Sequence, residues 1–148
     1  MKSRLSRKVA ATESPATYDA DFFDWTRRTA ALLRARRFDE VDVEHAAQEI
    51  EDMGRRDVRE LNRRMRVLLA HLLKWQLQPK KRTASWRTTL STQRFEIDAL
   101  LRDSPSLRPR LLQDLPANYA RAIKRADKFP SRCPFTLEQI LDEDFLPA

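Results

Sequence analysis

The chain has 148 residues, a net charge of +7, one Gly against eight Pro, and one Cys. That length fits one domain around one core. A single Gly is too few for tight hairpins, which excludes a β-rich fold, and a single Cys excludes an internal disulfide and suits a reducing compartment. Leu, Ala, Arg, Glu and Gln favour helix, so the expected class is all-α: a compact helical bundle of about four main helices plus a short C-terminal one.

In chain order, residues 1–16 read as a loose basic tail; the segment lacks an apolar run, so it is not a secretory signal. A first helix is expected over 17–36, with Tyr18, Phe22, Trp25, Thr29 and Leu32 on one face. Asp42 is a suitable N-cap for a second, long helix. In that helix an apolar stripe through Ala46 or Ala47, Ile50, Gly54, Val58, Leu61, Met65, Leu68, Leu72 and Trp75 ends before Pro79. Gly54 lies on the stripe. Either a neighbouring helix crosses close to it, or the helix breaks and Asp57 caps a new one; the unbroken phase favours the crossing.

Ser85 is the expected cap of a third helix from Trp86 to about Asp103, with Trp86, Leu90, Gln93, Ile97 and Leu100 or Leu101 inward. Ser104-Pro105-Ser106 stops it. A fourth helical region carries Leu107, Leu111, Leu115, Tyr119, Ile123 and Ala126 in register, kinked or restarted at Pro116. Thr136-Leu137-Glu138-Gln139 is a capping box opening the last short helix. One domain, 17–148, follows from these elements.

Charge is arranged in blocks. Residues 38 to 53 carry Asp39, Glu40, Asp42, Glu44, Glu49, Glu51 and Asp52 with no Lys or Arg, a net −7; residues 55 to 87 carry a net +9. The basic residues Arg55, Arg56, Arg59, Arg63 and Arg66, followed by Lys80, Lys81 and Arg82, form a candidate nucleic-acid surface. The alternative is a solvated face paired with the acidic block. No DNA-reading or RNA-binding signature accompanies the charge.

Other constellations are sparse. His45 and Glu49 stand four apart, but a metal site needs further ligands, and His71 reads as the edge of the core, so no metal and no cofactor are expected. Glu49, His71, Lys74, Arg87, Gln93 and Arg94 recur beside the apolar stripes and read as a structural polar network, a buried or half-buried set of ion pairs that fixes helix register. Neither a nucleophile motif nor a nucleotide loop is present, so no catalytic residues are assigned. Cys133 reads as a packed thiol. The C-terminal Leu141, Phe145 and Leu146 either dock on a partner or cover the open end of the bundle.

The ordered segments Tyr18 to Arg34, Phe38 to Gly54, HLLKWQLQP (His71 to Pro79), Ser85 to Ile97, Ser104 to Leu107 and CPFTLEQILDEDFLP (Cys133 to Pro147) resemble the bacterial family catalogued as domain of unknown function 29. The resemblance covers nearly everything after residue 17. It implies a compact all-helical cytoplasmic protein of bacteria and brings no activity with it; Pro116 departs from the pattern. The functional expectation is therefore a basic, cytoplasmic, membrane-free module that binds another protein. Its alternative is sequence-independent nucleic-acid binding.

Overall fold

A computed structural model describes residues 17–124 and 129–148. The expected tail over 1–16 and the helical position of Ala126 lie outside them. Every regular element among the described residues is helical: α1 (Phe22–Arg34), α2 (Val43–Leu77), α3 (Ala84–Asp103), α4 (Leu107–Ala122) and α5 (Leu137–Leu141), with single 3-10 turns at Phe38–Glu40 and Pro79–Lys81. The all-α expectation holds.

Helix boundaries follow their caps. Asp21, in an extended conformation, accepts the Asp24 amide and starts α1 at Phe22, so Tyr18 sits in the turn before it rather than in its first turn. At the other end the Arg37 amide reaches the Leu32 carbonyl and the Arg36 amide that of Leu33, a Schellman closure that puts Arg36 at φ 57°. Asp42 accepts the His45 amide and opens α2. The third helix starts earlier than expected: Thr83 is extended and its hydroxyl accepts the Trp86 amide, leaving Ser85 inside the first turn. The capping box at Thr136 and Gln139 forms as expected.

The crossing expected at Gly54 needs correction, and of the two alternatives at Pro116 the restart does not occur. Helix α2 is continuous through Gly54, yet a Cβ there would meet nothing within 4 Å, so no helix crosses close to it among the described residues. Helix α4 does not restart at Pro116. The Leu112 carbonyl, which loses its amide partner to the proline, belongs to a residue 57% exposed, and water can take the vacated bond.

The described residues group into two compact units divided after Glu51, a point inside α2. The unit through Glu51 buries only Trp25 and Thr29 among its described residues. The unit from Asp52 onward holds the continuous core: Leu61, Met65, Leu68, Leu72 and Trp75 of α2 pack with Leu90 and Ile97 of α3, Leu111, Leu115 and Tyr119 of α4, and Leu137 and Ile140 of α5. Asn62, Asp114 and Asn118 tie α2 to α4. The Asn62 amide donates to Asp114 (3.0 Å), and Asn118, 2% exposed, donates to Asn62 (2.8 Å).

The C-terminal residues close over this core. Arg94, 3% exposed, directs Nε to the Ile140 carbonyl, Nη1 to that of Glu143 and Nη2 to that of Phe145. Arg82 bonds the Trp75 and Pro147 carbonyls. Phe145 and Leu146 pack on the core and Pro147 is buried, which is the covering role of the two considered.

Candidate functional site

Within the first unit, Tyr18 is the centre of an aromatic cluster. Its ring stacks on His45 (centroids 4.0 Å apart, 16° between planes) and meets Trp25 and Phe22 edge-on at 5.0 and 5.5 Å. Its hydroxyl donates to Glu49 at 2.6 Å, and His45 Nδ1 pairs with Asp42 at 2.6 Å. The bonds from the His45 side chain and backbone hold the Asp42 carboxyl below the usual carboxylate range. These contacts fix the turn before α1 against the first turns of α2. They also engage His45 and Glu49, the pair considered for a metal. Among the described residues no group of three or more His, Cys, Asp or Glu side chains is placed to hold an ion.

Packing of this unit leaves much apolar surface open. Phe22, Phe23, Leu33, Phe38, Val43 and Ile50 are exposed, six of the ten large exposed hydrophobics of the described chain. Val43, Ala47 and Ile50 recur at i, i+4 and i+7, so they share one face of α2. That stripe is in phase with the buried Leu61 and Met65, but at this end of the helix it faces solvent. Asp39, in the 3-10 turn before α2, and Glu44, in its first turn, are exposed. A cleft of about 620 Å³ lies in the same unit, lined by Tyr18, Trp25, Arg28, Thr29, Arg37 and Asp42 among others. Arg37 is engaged there by Glu40 through two hydrogen bonds.

The candidate nucleic-acid surface is partly spent on internal contacts. Arg55 pairs with Asp52, and Arg63 with Glu60. Arg82 holds two carbonyls and lies over the Trp75 ring. Arg66 is half-buried. Arg56, Arg59, Lys80 and Lys81 are exposed and make no ion pair among the described residues. Trp75 is buried and Trp86 packs against the core, so neither ring is an open stacking platform.

The six polar residues expected to form a network have separate partners. Glu49 accepts from Tyr18, and His71 Nδ1 bonds the Val67 carbonyl. Gln93 meets Arg64 at 3.4 Å, Arg87 lies over Trp75, and Lys74 is exposed. Arg94 is buried, and its side-chain hydrogen bonds go to three carbonyls. Desolvation lowers its pKa from the ordinary value, against the opposing fields of Asp142 and Glu143. Arg64 Nε forms an ion pair with Glu60 at 2.7 Å, and its Nη2 lies 3.6 Å from Glu96.

Cys133 is half-buried and donates to the Phe135 carbonyl, and burial pushes its thiol pKa up, which disfavours the nucleophilic thiolate. Sequence reasoning missed the Tyr18–His45 stack and the Asn62–Asp114–Asn118 tie. The only signal for the second was an Asn beside the core positions Leu61 and Tyr119 on each helix.

Compared with known families, the chain matches the one described as Domain of unknown function DUF29 over residues 17–146. The chain belongs to this family. As a DUF29 protein it inherits no assigned chemistry, and its site has to be read from its own residues. No curated protein and no solved structure matches the chain. No described helix is long and apolar enough to cross a membrane.

Proposed function

We infer that this DUF29 chain is a protein-interaction module and that the unit through Glu51 carries its docking surface. The supporting observation is the concentration of exposed hydrophobics there: six large side chains within Phe22 to Ile50, around a unit that buries two described residues. Exposed apolar side chains concentrated in one part of a chain are a mark of contact sites. The test is site-specific photo-crosslinking in an extract of the source organism. A photoreactive residue at Phe38 captures a protein partner; the same residue at Leu112, exposed but on α4, does not. Equal capture at both sites, or none at either, overturns the reading.

Nucleic-acid binding is the second reading, supported by the exposed Arg56, Arg59, Lys80 and Lys81. It ranks lower because Arg55, Arg63 and Arg82 already have partners within the chain. Binding of a labelled single strand that falls steeply between 50 and 200 mM salt, on the order of 10³-fold for six phosphate contacts, would raise it to first place.

A further inference from the structure

We propose that the acidic strip of α2 in the first unit takes a basic amphipathic helix of a partner protein. The proposal rests on the interaction reading above and names the partner's chemistry. Val43 and Ile50 are 66% and 63% exposed, and Phe38, in the 3-10 turn before α2, is 60% exposed. Val43 to Ile50 spans about 10 Å of helix axis, two turns, which is the reach of apolar side chains at i, i+3 or i+4, and i+7 on a second helix. Open helical ridges pack most simply against another helix, and no described segment offers a strand edge.

The sign of the charge selects among such helices. From Phe38 through Met53 every charged residue is acidic. Asp42, Glu40 and Glu49 have internal partners, whereas Glu44 is exposed with no hydrogen bond or ion pair among the described residues. A partner with Lys or Arg flanking its apolar stripe meets these carboxylates, while an acidic helix, a phosphate backbone or an anionic lipid surface is repelled. The chain's own basic stretch on α2 cannot serve in a second copy, because its apolar residues Leu61 and Met65 are buried in the core.

The test is a fluorescence-anisotropy titration of the full chain with an 18-residue probe peptide. The probe has Leu at helical i, i+3, i+4, i+7 spacing and Lys elsewhere; a control peptide replaces every Lys by Glu. The Lys peptide binds at least about tenfold more tightly than the Glu peptide. Val43→Asp with Ile50→Asp, both at exposed positions, weakens it at least about tenfold without moving the melting temperature, and Glu44→Lys weakens it and flattens its salt dependence. Leu112→Asp on α4 changes nothing. Equal binding of the two peptides, a silent double variant, or the same loss with Leu112→Asp overturns the proposal. So does a dimer in sedimentation that Ile50→Asp abolishes, because the strip then belongs to a second copy. Capture of a protein at Phe38 that the Lys peptide fails to displace overturns this partner chemistry alone; absence of any capture overturns the interaction reading itself.

Discussion

Two arginines show how a single side chain can set local stability in opposite directions. Arg94 is buried and supplies one nitrogen to each of three carbonyls on the segment that closes the core. Removing it leaves the buried Ile140 carbonyl and two partly buried carbonyls without their donor, at about 1–3 kcal/mol each where water cannot reach. Arg94→Ala is therefore expected to destabilise by about 2–4 kcal/mol and lower the melting temperature by about 5–15 °C, with Arg94→Lys in between because one ammonium cannot span three divergent carbonyls. A calorimetric melt that Arg94→Ala leaves unmoved would refute this. Arg36 is the converse case. It occupies the left-handed position of the α1 Schellman closure, which costs a side chain with a Cβ about 1–2 kcal/mol relative to Gly. Its side chain is exposed and makes no hydrogen bond or ion pair among the described residues. Arg36→Gly should raise stability by up to about 1 kcal/mol, read as a higher urea midpoint at unchanged m-value. Part of the relief is offset by the extra freedom Gly gives the unfolded chain.

Helices and their junctions were the legible level, and their tests concern what joins them. The Asp114 carboxyl is held below its ordinary range, first by the Asn62 amide and then by Arg110. A lowered folded value means that its stabilising effect is present above about pH 4, the unfolded range, and is lost as pH falls through the lowered value. Melting temperatures of the native chain should therefore drop more between pH 6 and pH 2.5 than those of Asp114→Asn, which keeps an acceptor for Asn62 without titrating. Parallel pH curves would exclude the tie as an acid-sensitive contact. Gly54 gives a second test. Its helical position faces open space, so Gly54→Ala should stabilise by about 0.5–1 kcal/mol in a chemical melt; a loss would mean that another backbone approaches it. The long stripe of α2 and the Thr136 capping box could be read from spacing alone, because both are rules local to one helix. Thr83 displaced Ser85 as cap because two hydroxyls two residues apart are equivalent until the backbone chooses where to turn. Arg94 could be recognised as inward, but its partners are carbonyls some 46 to 51 residues away, and carbonyls carry no side-chain signature.

At the scale of the whole molecule the decisive contrast is between what each unit buries. Leu61, Met65, Leu68, Leu69, Leu72 and Leu73 are at most 1% exposed in the larger unit, whereas the unit through Glu51 has Trp25 and Thr29 as its only buried described residues. Hydrophobic periodicity could not distinguish these, since Val43, Ala47 and Ile50 carry the same stripe as Leu61 and Met65; a stripe states which face is apolar, not what covers it. Local opening follows burial, because few apolar contacts and exposed backbone hydrogen bonds mark the low-stability end of a structure. Native-state hydrogen exchange should therefore show α1 amides (Phe22–Arg34) protected at least about tenfold less than those of Leu61 to Trp75 in α2 and Leu90 to Ile97 in α3. The aromatic cluster of Tyr18, Trp25 and His45 should place the last protection to be lost in the first unit around Trp25 and Thr29. A docked partner would cover the exposed side chains at Phe38, Val43 and Ile50 and raise protection in the first turns of α2, leaving α3 unchanged. Equal protection of α1 and the core helices in the isolated chain would contradict this, since six exposed hydrophobics around two buried residues give the smaller unit no comparable interior.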